Sequence, residues 1–346
     1  MPKKAGQSGD GYKQLADALS TGQIGSLYIL HGEEHYLLAR ALDRLRAKLF
    51  PDGLSSFDYR RFEGKTLSVE ELDDAINTLP AISERTLIEI HDLDMFKHDR
   101  KQRMAELFSD LPEYVCIAII FDTIEFKPDG RVKLDAELLR NGQIIEFRTQ
   151  EQDKIVTWIK RHFADAGKSI SSADAEYLAF VTGGYMDTLH GEIGKTAAYA
   201  RETTVTRSDI DAVVPPVLDA VVYKLTDALF NRDHTGAMRI LDELLRMREP
   251  PHKLLFSVSL KMRQLLAARV YINSGPSYKG AIKEICGIRS DYAVRTLIET
   301  ARRSSVSYCR EAVICCAGTG MHMNTSSQPE ACLTELIVKL AHLSNL

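Results

Sequence analysis

Between Tyr12 and Phe147, short runs of β-branched and aromatic residues alternate with stretches whose apolar positions recur every three or four residues. Such alternation predicts parallel β-α-β units. Strands are expected at Leu27–His31, Phe57–Phe62, Thr86–His91, Val115–Phe121 and Ile144–Phe147, with helices at Glu34–Leu49, Val69–Leu79, Arg100–Asp110 and Val132–Asn141. The run Val115 to Phe121 is apolar throughout, as a central parallel strand covered on both faces must be.

Beyond about Thr149 the strand pattern stops and stripes of period 3.6 take over. Helices at Asp153–Ala166, Ala173–Val181 and Met186–Arg201, set apart by Gly167 and Gly183-Gly184, predict a small three-helix domain. Val213-Val214-Pro215-Pro216 then marks a linker, because paired prolines end a helix and stiffen the chain. After it, helices are expected at Leu218–Asn231, Thr235–Met247, Pro251–Ile272, Lys279–Cys286, Asp291–Ser304, Ser307–Cys316 and Glu330–Leu343. Gly275-Pro276 and the stretch Gly318 to Gln328 are expected as loops. The expected fold class is α/β plus all-α: a parallel α/β domain at 1–148, a helical domain at 149–214 and a helical bundle at 215–346.

Composition narrows the function classes. With 346 residues the chain exceeds one ordinary core, and 45% hydrophobic with 27% charged residues is the balance of a folded soluble protein. No apolar run approaches the roughly 18 residues of a membrane span, and Met1 to Lys13 lacks an apolar targeting core, so a cytoplasmic protein is expected. A net charge of −4 excludes a whole-surface nucleic-acid binder but leaves room for a local basic patch. The six cysteines form no C-x-x-C pair and are expected as buried free thiols.

The segment Leu27 to Arg46 places a strand, a glycine turn and an amphipathic helix where nucleotide-binding proteins keep their phosphate loop. A working loop needs backbone N–H groups, a lysine and a hydroxyl that converge on phosphates and magnesium. After Gly32 the corresponding positions hold Leu37, Leu38 and Ala39, so no cofactor is expected there. His31-Gly32-Glu33-Glu34-His35 matches the H-x-x-E-H pattern of a zinc peptidase class, but Gly32 is expected to separate strand from helix and break the helical spacing a metal site requires. No metal is expected, and Glu33 and Glu34 read as carboxylates of a helix's first turn. Asp92-Leu93-Asp94 reads as a polar strand end. No arrangement nominates a catalytic residue.

Three stretches carry binding potential. Lys97 to Arg103 is the densest basic run, and Arg239, Arg246, Arg263 and Arg269 form a basic stripe; each reads as a phosphate contact or as a solvated helix face. Thr78-Leu79-Pro80-Ala81-Ile82-Ser83 places apolar residues at a proline-marked turn. It reads either as a staple packed on its own domain or as a partner-binding tip.

The order of these features resembles the delta subunit family of the bacterial DNA polymerase III clamp loader. The resemblance is carried by Leu27 to Leu38, Phe57-Asp58-Tyr59-Arg60-Arg61-Phe62, Thr78-Leu79-Pro80 with Glu84-Arg85, and Trp158-Ile159. Further on it is carried by Leu189 to Lys195 with Tyr199-Ala200, Ile240 to Leu245 and Arg263 to Leu266. It implies an AAA+ like core with a degenerate phosphate loop, a helical lid and a collar that assembles with other clamp loader subunits in a hetero-pentamer. It further implies a subunit that does not hydrolyse ATP, binds the sliding clamp (the beta subunit) and opens it, and reaches primed DNA through the complex. Carried over by position, the clamp-facing residues are Leu79, Pro80, Ala81 and Ile82. Family members often have a bulky aromatic or leucine where Ala81 stands, which weakens the anchor here or shifts it onto Ile82. The stretch Gly318 to Gln328 departs from the acidic-then-basic pattern of the family's collar. An ATPase with an unconventional phosphate site near Gly32, and a DNA-binding helical scaffold, are the competing readings.

Overall fold

The computed structural model describes residues 11–53, 57–93, 101–246, 248–275 and 279–343. The chain divides between Gln150 and Glu151 into two compact units. The first runs α1 (Gly11–Thr21), β1 (Leu27–His31), α2 (His35–Leu49), β2 (Tyr59–Glu63), α3 (Val69–Asn77), β3 (Thr86–His91), α4 (Lys101–Ser109), β4 (Val115–Ile120), α5 (Lys133–Asn141) and β5 (Gln143–Glu146).

Its five strands are all parallel, in the order β2-β3-β4-β1-β5. Side chains alternate across a strand, so the apolar run splits between two cores. Ile117 and Ile119 pack with Ile88, Ile90, Leu72 and Phe108 on the face covered by α3, α4 and α5. Cys116, Ala118 and Ile120 pack with Tyr28, Leu30, Leu38 and Leu45 on the face covered by α1 and α2. Helix α1 was not among the expected elements; Leu15 and Leu19 are its buried positions among the side chains described. Helix α3 opens with a capping box of Ser68 and Glu71 and ends at Asn77, two residues short of expectation. Pro80 explains the early stop, since a residue before proline is driven out of the helical region.

Glu89, in the middle of β3, breaks the apolar pattern and is fully buried. Arg46 of α2 donates Nε and Nη2 to its two oxygens at 2.7 and 2.6 Å, and the Tyr59 hydroxyl donates at 2.9 Å. His91 lies 3.6 Å from the same carboxylate and 2.8 Å from Asp122. Burial pushes the Glu89 carboxyl up, but His91, Arg46 and Tyr59 outweigh it and hold the group at about 2. Asp122 first, and Glu89 second, raise His91 to about 9 against the desolvation that lowers it.

The second unit is helical: α6 (Gln152–Asp165), α7 (Ser172–Val181), α8 (Met186–Tyr199), α9 (Arg207–Val213), α10 (Leu218–Phe230), α11 (His234–Arg246), α12 (Pro251–Asn273), α13 (Lys279–Cys286), α14 (Asp291–Arg303), α15 (Val306–Met323) and α16 (Pro329–Leu343). Strand structure does not stop at Thr149, as expected from the sequence: β6 (Ser169–Ile170) and β7 (Thr204–Val205) pair in parallel. Two residues each are too few to leave an alternating pattern. Helix α9, capped by Thr206 and Asp209, also escaped the sequence reading, because seven residues make barely two turns with one buried side chain, Ile210.

The expected loop from Gly318 to Gln328 is corrected more substantially. Helix α15 continues through Gly318 and Gly320 to Met323, leaving only 324–328 between it and α16. Cys316, Thr319 and Met323 are buried along it, and a Cβ on Gly320 would sit 3.6 Å from Leu255 of α12. Tertiary packing thus outweighs the roughly 1 kcal/mol that each interior glycine costs a helix.

Within this unit, α6 to α9 share one core with Ala220 of α10, the rest of α10 to α16 builds another, and an aromatic joint links the two sets. Tyr292 of α14 stacks 5.0 Å from Phe180 and 5.5 Å from Tyr177 of α7. The Arg207 guanidinium lies 3.8 Å over the Tyr177 ring and donates to the Tyr292 hydroxyl at 2.7 Å. The Asp291 N–H donates to Gln152 at 2.7 Å, and Arg295 pairs with Glu176. Five of the six cysteines are buried, and Cys315 is half-buried; all six are free thiols.

The Glu89 and His91 values fix a pH dependence. His91 is raised above its ordinary 6.5, so its stabilisation is complete below that pH and is lost as pH rises through about 9. Glu89 is held below 4.5, so its share is complete above 4.5 and is lost as pH falls toward 2. Denaturant unfolding of the full chain, followed by amide exchange in β3, is expected to show falling protection from pH 6.5 to about 9. His91→Gln should flatten that arm and leave the acid arm in place.

Candidate functional site

Two places at the edges of the α/β unit bear on function: the turn after β1 and the loop between α3 and β3. In doubly wound sheets, ligands bind beyond the carboxyl ends of the strands where strand order reverses, and β1, flanked by β4 and β5, ends at such a point.

Here that point is filled by the chain itself. Phe147 donates its N–H to the His31 carbonyl at 2.7 Å and accepts the Glu34 N–H at 3.0 Å. Gly32 sits between these bonds with φ +129°, and a Cβ on it would lie 2.3 Å from the Phe147 carbonyl oxygen. Only a residue without a side chain permits this approach. The turn from strand to helix therefore takes three residues, Gly32, Glu33 and Glu34, and one of its N–H groups is already used.

Leu38 is buried against Leu30 and Leu45, Leu37 packs on the same core, and Ala39 faces solvent. At the positions of lysine and hydroxyl, this chain thus presents two core residues and a methyl group. The acidic pair sits differently from expectation. Glu34 is the N-cap of α2, with no side-chain capping bond, and Glu33 accepts the Thr149 hydroxyl at 2.8 Å, so both precede the first turn. His31 ends β1 against the Phe126 ring, centroids 5.0 Å apart, while His35 begins α2 in solvent. The two histidines do not share a helix face.

Asp92, beyond β3, adopts φ +53° and spends its carboxylate on its own fold. It accepts N–H groups of Asp122 at 2.9 Å and Thr123 at 2.8 Å, and the Thr123 hydroxyl at 2.5 Å. Burial pushes this carboxyl up, but the Thr123 and neighbouring bonds hold it below the usual range. Asp94 lies outside the described residues, as do Lys97 to Arg100 of the basic run. Arg103 from that run contacts Glu106 at 3.3 Å and Asp73 at 3.4 Å, both as partly solvated pairs. Of the basic stripe, Arg246 pairs with Asp242 at 2.7 Å, and Arg239 and Arg263 are exposed.

The loop after α3 has the opposite character. Leu79 is 69% and Ile82 72% exposed, Ala81 is exposed and Pro80 is half-buried. A staple onto the same domain would have buried these side chains, so that alternative does not hold. The exposed turn is nevertheless firmly built. Asp58, fully buried just before β2, accepts the N–H groups of Ala81 at 2.6 Å, Ile82 at 2.9 Å and Ser83 at 2.6 Å. Burial pushes the Asp58 carboxyl up, but those three N–H groups outweigh it and keep it below the usual carboxylate range. Sequence reasoning missed this role for Asp58, because its partners lie 23 to 25 positions away and no short-range pattern links them. The available signal was an aspartate at the start of a strand, where an ionised group must find donors.

A third surface lies on the second unit. Phe256, Leu260 and Val270 stand exposed along α12 at spacings of four and then ten residues, with Arg263 and Ala267 between them. Ile285 of α13 continues the patch beside a shallow groove lined by Leu266, Val270 and Tyr271.

Comparison with known proteins places these features in one family. Residues 28–148 match the family described as DNA polymerase III, delta subunit, and residues 219–340 match DNA polymerase III delta subunit, C-terminal domain. The chain is 23% identical over 332 residues to DNA polymerase III subunit delta of Bacillus subtilis, covering 93% of this chain and 94% of that protein. It is 25% identical over 252 residues to the probable DNA polymerase III subunit delta of Aquifex aeolicus, covering 69% and 70%. Among solved structures, the DNA clamp loader delta protein of Bacillus subtilis superposes with a TM-score of 0.56 at 19% identity, over 96% of this chain and 99% of that one. The strand order, the closed turn at Gly32 and the helical second unit thus belong to a chain of the DNA polymerase III delta subunit family.

Proposed function

We propose that this chain is the subunit of a DNA polymerase III clamp loader that binds the sliding clamp through Leu79, Pro80, Ala81 and Ile82 and holds the ring open. The carrying observation is the pair of exposed apolar side chains, Leu79 and Ile82, on a turn whose backbone is bonded to a buried carboxylate. Burying each in a partner pocket contributes roughly 1.5 to 3 kcal/mol, which makes a compact hot spot. With Ala81 between them, Leu79 and Ile82 carry the apolar contact.

Opening a closed ring by binding requires preference for the open form, since a ligand shifts an equilibrium only by its differential affinity. A turn fixed to the edge of a five-stranded sheet is stiff enough to impose such a preference. The chain does this without hydrolysing ATP: Phe147 and Gly32 close the turn after β1, and Leu37, Leu38 and Ala39 offer no phosphate grip. Neighbouring subunits then supply the nucleotide-driven cycle and carry the complex to primed DNA. In this reading the segment 149–214 is the lid and 215–346 the collar, and the exposed patch of Phe256, Leu260, Val270 and Ile285 meets other clamp loader subunits in the five-membered ring.

Clamp binding by the purified chain is expected to weaken by about tenfold or more for Leu79→Ala and for Ile82→Ala, equivalent to at least ~1.4 kcal/mol each. The double variant should bind below detection in a pull-down or by calorimetry, and an unchanged affinity would overturn the site. At millimolar ATP the isolated chain is expected to give neither a binding isotherm nor phosphate release. Turnover that is lost on substitution of Glu33 or Glu34 would favour an ATPase instead.

A further inference from the structure

We infer that Asp58 is the positioning residue of the tip: its buried carboxylate sets the turn at Ala81, Ile82 and Ser83 in the binding conformation before any partner arrives. This rests on reading Leu79 and Ile82 as the clamp contacts. The geometry is that of an anion nest, in which successive backbone N–H groups converge on one negative group. Three consecutive N–H groups point at Asp58, two of them at 2.6 Å, and the anion they hold comes from the chain itself.

The flanks of the loop are tied to the same strand. The Asp58 carbonyl accepts the Leu87 N–H of β3 at 2.9 Å, which fixes the exit of the loop. At the entry, the Thr78 hydroxyl donates to the Asp74 carbonyl at 2.6 Å, and Arg60, two residues beyond Asp58, donates to Thr78 at 3.4 Å. Pro80 restricts the backbone between the two apolar side chains. An eight-residue connection, 78–85, is thus held at both ends and in its middle, while Leu79 and Ile82 remain in solvent.

The consequence is quantitative. A loop that visits its binding conformation only part of the time binds with an apparent dissociation constant raised by the inverse of that fraction. With three charged hydrogen bonds removed, the competent fraction is expected to fall at least about tenfold. Because the carboxylate is buried, the loss is conformational and not a lost Coulombic attraction to the clamp. It should therefore be equal at low and high salt, unlike the loss of a surface charge.

The test uses the full chain and purified sliding clamp. Asp58→Ala is expected to weaken clamp binding by about tenfold or more, independent of salt, and to speed amide exchange at Ala81, Ile82 and Ser83 in the free protein. Asp58→Asn, which keeps one acceptor oxygen, should fall between Asp58→Ala and the unaltered chain in both measurements, and it stands alone should Asp58→Ala not fold. If Leu79→Ala and Ile82→Ala abolish binding while both Asp58 variants bind as the unaltered chain does, the inference is overturned and the site stands. Loss of affinity in the Asp58 variants with exchange at residues 81–83 unchanged also overturns it. Binding that survives Leu79→Ala with Ile82→Ala overturns the site itself, and the inference with it.

Discussion

A carboxylate buried in a sheet that is covered on both faces must be paired within the chain, because desolvating an isolated charge costs several kcal/mol even after relaxation. Three buried carboxylates of the α/β unit show how the constraint is met. Glu89 takes a two-pronged guanidinium, Asp92 takes the turn after β4, and Asp58 takes the turn after α3. Each pairing ties a strand to an element distant in sequence. Two of these acids, Asp92 and Asp58, fix loops at the rim of the sheet, and Glu89 holds α2 and β2 to β3.

The turn after β1 follows the same logic with backbone groups. A phosphate-binding turn must leave its N–H groups pointing into open space, whereas here Phe147 extends the ladder of β5 past the end of the strand and takes up the Glu34 N–H. What is gained is rigidity at the point where an ATPase needs an empty cradle.

Much of this was legible in the sequence. The strand runs, the helix of Arg46, the glycine turn and the proline-marked apolar turn all follow from the apolar patterns and from Gly32 and Pro80, whereas the sequence left open whether that turn packs down or stands exposed. The illegible parts have a common cause. Glu89 with Arg46, and Asp58 with Ala81 to Ser83, join segments far apart in the sequence, and no local pattern records them. The glycines of α15 misled for the reverse reason: local propensity argued for a loop, while the burial of Cys316, Thr319 and Met323, visible only in three dimensions, keeps the helix intact. Short elements such as β6, β7 and α9 carry too few residues to write a period at all.

The joint around Tyr292 has a mechanical meaning. Tilted ring contacts of Tyr292 with Tyr177 and Phe180, clipped by Arg207, carry a geometric preference that a bare aliphatic seam lacks. Any sliding of α10 to α16 against α6 to α9 has to break these contacts together. Pro215 and Pro216, which stiffen the chain between the two sets, are thus reinforced by side-chain contacts between residues far apart in the sequence.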